Sequence, residues 1–248
     1  MALEKTDAII LKSFPYGDTS KIARCYTRDF GKISIIAKGV RKSKTLQSGY
    51  IEPMNYLSLL FYYSPKRQLQ TFSKAEFQRV WSALLRDVKR ISYGFAIVEL
   101  IDKTVTGEEP HEQLFQLLVD ILQAINSSKR NINLIFWYFE IHLLILLGFR
   151  PVLSECPRCH GKLEEGFFAL EYGELICRNC DQGSGHLVSH RAVHILKKLK
   201  HNSIQEIEKI SLKKGDRKEV GGFLNDYLKY HVEGLREIKS LSIMEKLF

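Results

Sequence analysis

Along the first third of the chain, apolar and polar residues alternate with the period of two that marks strands. Residues 7–14, DAIILKSF, form the first such run, and Tyr16-Gly17-Asp18 is a turn. In SKIARCYTR, residues 20–28, Ile22, Arg24, Tyr26 and Arg28 fall on one side and Ala23, Cys25 and Thr27 on the other. Asp29-Phe30-Gly31 turns the chain into KISIIAKG, and a polar loop, GVRKSKTLQSGY, follows. Residues 56–63 and 67–72 supply two more strands around Ser64-Pro65. Five strands in about 75 residues predict a small closed barrel of the OB type. An SH3-like barrel gives a similar pattern, and spacing alone does not choose between them.

After Glu76 the period changes. Val80, Leu84, Leu85, Val88, Ile91, Phe95, Val98 and Ile101 recur at helical intervals, until Thr106-Gly107-Glu108-Glu109-Pro110 breaks the pattern. Glu112–Ile125 reads as an amphipathic helix, and Asn133–Leu147 as an apolar helix stopped by Gly148 with Pro151 beyond. Further on, Ser189 is placed to cap HRAVHILKKLK, and helices are expected at roughly Ser203–Glu208 and Asp216–Lys229. Between these helices lies a glycine-punctuated segment whose short strands read as Phe167–Leu170 and Glu174–Ile176. The expected fold is α+β and multidomain. A barrel occupies residues 1–79, an α-helical domain occupies 80–248, and a module at 152–188 is inserted in the latter.

That module holds four of the five cysteines, as Cys156-x-x-Cys159 and Cys177-x-x-Cys180 with 17 residues between the pairs. The spacing fits a four-thiolate zinc site. Four thiolates leave no open position for water or substrate, so the zinc would be structural. A disulfide or redox pair is the alternative. Met1-Ala2-Leu3-Glu4-Lys5 leads into a charged strand pattern rather than a signal peptide, so a cytoplasmic chain is expected, and that setting disfavours structural disulfides.

Charge sharpens the picture of the barrel. The net charge is +9 over 248 residues, and residues 1–80 carry 14 Lys or Arg against 6 Asp or Glu, which is +8 of it. A polyanion is the partner this suggests. Arg24, Arg28, Lys38, Arg41, Lys42 and Lys44 cluster on one strand pair and the loop after it, with Tyr16, Tyr26, Tyr50, Tyr62 and Tyr63 near in sequence. Such barrels track phosphates with cations and stack bases on rings.

Several classes are disfavoured. Residues 135–149 are the most apolar stretch, yet Glu140 and His142 interrupt it and it is shorter than a membrane span. Lys38–Thr45 lacks the glycine loop that wraps phosphates, His111-Glu112 has no second histidine four residues on, and no G-x-S-x-G turn occurs. Cys25 sits in a strand with no evident base, as a small buried side chain would. No catalytic residues are expected.

Taken together, three stretches resemble the RecO family of bacterial repair mediators. They are Tyr16-Gly17-Asp18-Thr19-Ser20-Lys21-Ile22, Gly31–Arg41 with its Ala37-Lys38-Gly39-x-Arg41 segment, and Phe139–Leu144 running through Leu147-Gly148-Phe149 and Pro151 into Cys156-x-x-Cys159. The resemblance implies an OB-fold, a helical domain with an inserted zinc module, and a non-enzymatic role. That role is binding of single- and double-stranded DNA, annealing of complementary strands and, with RecR in the RecF pathway, help in loading RecA onto SSB-coated strands. It implies DNA contact by Lys38 and Arg41, association with the nucleoid during repair, and the SSB C-terminal tail as a partner. Where family members can carry arginines for that tail, this chain has Trp137 and Tyr138; either an aromatic contact replaces the salt bridge or the tail binds elsewhere. The competing expectation is a zinc-ribbon transcription or RNA-processing factor. Against it, the ribbon is acidic: Glu155, Glu164, Glu165, Glu171, Glu174 and Asp181 outnumber Arg158, Lys162 and Arg178.

Overall fold

A computed structural model describes residues 1–42, 46–129, 131–181, 183, 185–232, 235 and 240. By contacts the chain divides into two units, Met1–Ser127 (which Ser240 joins) and Ser128–Arg236.

The first unit is built on five strands: β1 (Ala2–Tyr16), β2 (Ser20–Thr27), β3 (Gly31–Ala37), β4 (Tyr56–Tyr63) and β5 (Leu69–Arg79). Their order is β1-β2-β3-β5-β4, and β4 pairs back to β1, which closes the sheet. All pairs are antiparallel except β3 with β5. The period-two pattern explains the core. In β3, Ile33, Ile35 and Ala37 point inward, where they meet Ala8, Ile10, Ala23, Cys25, Leu57, Leu59 and Phe61. Burial pushes the Cys25 thiol far up, which keeps it an inert small hydrophobe.

A short helix α1 (Leu46–Tyr50) lies between β3 and β4, and two long ones follow the barrel, α2 (Val88–Thr104) and α3 (Glu112–Ser127). The helical pattern expected from Val80 is corrected here. β5 runs to Arg79, and the chain then passes through a 3₁₀ turn at Leu84–Arg86. Trp81 is the physical reason: its ring is 1% exposed and its Nε1 donates to the Met54 carbonyl at 2.9 Å, so this segment is held against the unit before a helix begins. Asp87 then caps α2 by accepting from the Arg90 N–H. At the β2–β3 turn, Gly31 has φ +60°, and a Cβ there would sit 2.6 Å from the Glu109 carbonyl oxygen, so the α2–α3 loop presses on a position only glycine fills without displacement.

The second unit centres on α4 (Ile132–Leu146), whose Leu134, Ile135, Phe136, Trp137, Phe139, Ile141, Leu143 and Leu144 are all buried. The apolar run is a core helix, packed by α5 (His190–His201), α6 (Ile204–Ile207) and α7 (Asp216–His231). Gly148, at φ +92°, ends α4; its N–H reaches the Ile145 carbonyl, and the Phe149 N–H reaches that of Leu144. Ser189 caps α5, its hydroxyl accepting from the Ala192 N–H. Arg191 of α5 grips Asp216 of α7 through Nε and Nη2 at 2.8–3.0 Å. Burial pushes the Asp216 carboxyl up, but Arg191 and the Lys213 N–H hold it below its ordinary value.

The inserted segment forms a three-stranded sheet, β7-β6-β8, from β6 (Gly166–Ala169), β7 (Glu174–Ile176) and β8 (His186–Val188). The hydrophobic pattern predicts β6 and β7; β8, with three residues after two glycines, carries no periodic signal of its own.

Candidate metal centre and nucleic-acid interface

The two C-x-x-C turns bring the Sγ atoms of Cys156, Cys159, Cys177 and Cys180 within 4.8 Å of one another. Cys159 and Cys177 Sγ are 3.6 Å apart, and all four cysteines are free thiols. A disulfide needs about 2.05 Å. A tetrahedral Zn²⁺ with sulfurs at about 2.3 Å places them about 3.8 Å apart. The donor set therefore fits zinc rather than a disulfide. Electrostatics agree. Burial opposes ionisation of Cys156, but the backbone N–H groups of Cys177, Cys159 and Arg158 pull it down to about 6. Hydrogen bonds that the Cys180 thiol donates to the Cys177 and Cys159 sulfurs, with burial added, push Cys180 up to about 12. One thiolate is welcome in this nest of amides and further ones repel, which is the condition a dication relieves.

Of the four cysteines only Cys156 is buried, and the sheet beside them is packed on helices. Phe168 of β6 is fully buried and meets Phe223 at 5.3 Å and Tyr227 at 6.1 Å on α7. Lys197 of α5 donates to the Leu163 carbonyl at 3.0 Å. Four sulfurs would fill a tetrahedral shell and leave no vacancy for a reacting water.

The basic residues singled out on the barrel fall into two groups. Arg24 and Arg28 are not on an open face, contrary to the expectation from alternation. Arg24 Nη2 meets Asp102 of α2 at 2.5 Å, and Lys32 Nζ donates to the Asp102 carbonyl at 2.8 Å. Arg28 lies 3.5 Å from Asp7, 3.8 Å from Glu112, and 4.8 Å over the Phe115 ring. Tyr26 is fully buried beside Phe115 of α3 at 6.2 Å. The outer face of β2 is thus covered by the helices of its own unit, and these cations neutralise acidic groups there. Sequence reasoning missed Asp102 and Lys32; a period-two strand face opposite a helix carrying an acid was the available signal. Burial lowers Lys32, Asp102 opposes this, and Arg24 adds to the lowering.

Lys38, Arg41 and Lys42 form the second group, and all three are exposed. Arg41 is tied down: its N–H donates to the Thr19 carbonyl at 2.9 Å, and its Nη1 to the Gly17 carbonyl at 2.9 Å. The β1–β2 turn and the loop after β3 are thereby joined, with Tyr16 53% exposed beside them. Lys44 lies outside the described residues. Trp137 is corrected as well: it is 4% exposed, its ring against Gly221 of α7, so it serves packing in the second unit. Tyr138 is half-buried, its ring 4.0 Å from that of His142.

Residues 1–81 match the family model for the N-terminal part of recombination protein O, and residues 85–242 match the model for its C-terminal part. The chain belongs to the RecO family. DNA repair protein RecO of Pelotomaculum thermopropionicum is 30% identical over 99% of this chain and 95% of that protein. RecO of Chloroherpeton thalassium is 30% identical over 99% of both, and RecO of Salinibacter ruber is 25% identical over 99% and 95%. The RecO models meet between residues 81 and 85, close to the sequence boundary at 79, whereas contacts keep α2 and α3 with the barrel as far as Ser127. The Asp102 pairing and the Trp81 anchor account for that difference.

Proposed function

We propose that this RecO-family chain is a non-enzymatic mediator of recombinational DNA repair. It binds single- and double-stranded DNA, anneals complementary strands and, with RecR, helps RecA load onto SSB-coated strands in the cytoplasm, at the nucleoid. The barrel is read as an OB-fold, supported by its strand order and by the one parallel pair, β3 with β5. The cysteines hold structural Zn²⁺. The carrying observation is the exposed trio Lys38, Arg41 and Lys42 on a loop tied to the β1–β2 turn. It supports phosphate contact there, with Lys44 next in sequence, and it moves the reading away from Arg24 and Arg28. Tyr138 is the remaining candidate of its pair for an SSB-tail contact.

The test is anisotropy of a labelled oligothymidine across a salt series, with wild type and a Lys38→Ala/Arg41→Ala/Lys42→Ala variant. Each phosphate neutralised on a single strand contributes about 0.7 to the log–log salt slope, so the variant should lose about 2. Equal affinity and slope for both proteins would sink this reading of the loop.

A further inference from the structure

In the second unit, aromatic side chains from three separate elements meet at the surface. Phe149, just past α4, is 36% exposed, and its ring lies 5.4 Å from that of His231 at the end of α7. His231 lies 4.9 Å from Tyr230, which is 47% exposed. The Tyr230 ring rests on Gly173 in the β6–β7 turn, where a Cβ would come within 2.1 Å of it, and its hydroxyl donates to the Glu171 carbonyl at 3.1 Å. Tyr172, next in the turn, is 41% exposed, and the Arg158 guanidinium covers one face of its ring at 3.6 Å. The row is anchored: His231 Nε2 is 2.9 Å from the Gly173 carbonyl oxygen. Arg158 is exposed, as is Arg150, which follows Phe149 in sequence.

We propose that this row is a base-stacking platform for single-stranded nucleic acid. Flat rings and a guanidinium plane are the surfaces on which a nucleobase stacks, and with the exposed Glu171 beside Tyr172 the contact is through bases rather than through phosphates. Bases inside a duplex already have both faces stacked, so the unpaired strand is the form that fits. The inference rests on the DNA-binding reading above and adds a second contact surface, one that the cysteine module helps to build. Tyr172 and Arg158 belong to that module, and Arg158 stands between two of its metal-ligand positions. The clamp therefore does more than hold itself together: it sets half of the platform.

Stacking and phosphate contact differ in salt dependence, which separates the two surfaces. The experiment is the oligothymidine titration at low and high salt with full-length wild type, Tyr172→Leu/Tyr230→Leu, Tyr172→Phe/Tyr230→Phe, and the loop variant. Melting temperatures and zinc content are measured in parallel. The Leu pair should bind at least about tenfold more weakly at every salt concentration with an unchanged slope, and the Phe pair should bind as wild type does. A Leu pair within about twofold of wild type overturns the platform, while loss of slope in the loop variant leaves the first reading standing. A Phe pair as weak as the Leu pair also overturns it, because the hydroxyl bond to Glu171 and not the ring would then be responsible. Wild type that fails to bind oligothymidine overturns both.

Discussion

The barrel and the cysteine module are both small antiparallel-rich sheets, and they are held in opposite ways. The barrel closes on itself, so each of its five strands has two neighbours and a continuous apolar interior from Ala8 to Ala75. The module has three strands of three or four residues and no interior of that kind. Phe168 fills its inner side only by meeting Phe223 and Tyr227 of α7, and four sulfurs gather at the other end. A sheet large enough to bury its own hydrophobic face needs no metal; one that is too small uses ligand bonds for what burial does not supply. The same contrast appears in the polar groups. On the barrel, Arg24 and Lys32 are used inside the unit, around Asp102, while Lys38, Arg41 and Lys42 stand exposed on the loop after β3, as do Lys12 and Lys66 elsewhere.

The largest expected effect breaks the module. Structural zinc is bound with an apparent free energy of about 10–16 kcal/mol in small zinc domains, so Cys177→Ser should lose nearly all bound metal. Metal analysis should read well under one zinc per chain, and limited proteolysis should cut between Cys156 and His186 while Met1–Ser127 stays resistant. Retained zinc with unchanged protection would mean that the module stands without its fourth sulfur.

A smaller effect probes the barrel. Asp102→Ala leaves Arg24 without its carboxylate. Among the described residues, Arg24 Nε has no hydrogen-bond partner and is shielded from solvent, as is Asp102 Oδ1. Removing one member of a buried pair costs roughly 3–5 kcal/mol; with the Arg24 side chain 36% exposed, water takes over part of the loss, and about 2 kcal/mol is expected. Chemical denaturation reads it directly. A loss under about 0.5 kcal/mol would place this pair with ordinary surface ion pairs.

The smallest effect concerns the helical core of the second unit. Glu140 is 2% exposed, and burial holds its carboxyl well above the usual range. Folding favours the protonated form. Stability is therefore full below the ordinary value of about 4.3 and falls as pH rises towards the elevated folded value. Glu140→Gln should flatten that dependence and raise the melting temperature at pH 8 by roughly 2–4 °C, equivalent to about 1 kcal/mol, with a smaller gain at pH 5. A lower melting temperature at both pH values would mean that the carboxyl makes a contact the amide does not reproduce.

Much of this architecture is local and therefore legible along the chain. Alternation in KISIIAKG, the turn at Asp29-Phe30-Gly31, the stop at Gly148 and the cap at Ser189 each act within a few residues, and each recurs in the structure. The cysteine spacing belongs to this class too, since a C-x-x-C turn aims two sulfurs at one point whatever surrounds it. Which face of a strand meets solvent is not local. Arg24 and Tyr26 alternate as an outward face should, and only the docking of α2 and α3 covers them. Only the family resemblance offers Trp137 as a contact residue; it lies in an apolar helix, and α7 returns some eighty residues later to pack against it. The row from Phe149 to Arg158 is the same case in reverse. Its members are scattered between residues 149 and 231, and only the packing of α4, α7 and the cysteine module brings them together. Periodicity and spacing sufficed for most of the elements and for the gathering of the four cysteines because backbone and turn geometry decide those within a few residues; which surfaces remain open was decided by burial against partners distant in sequence.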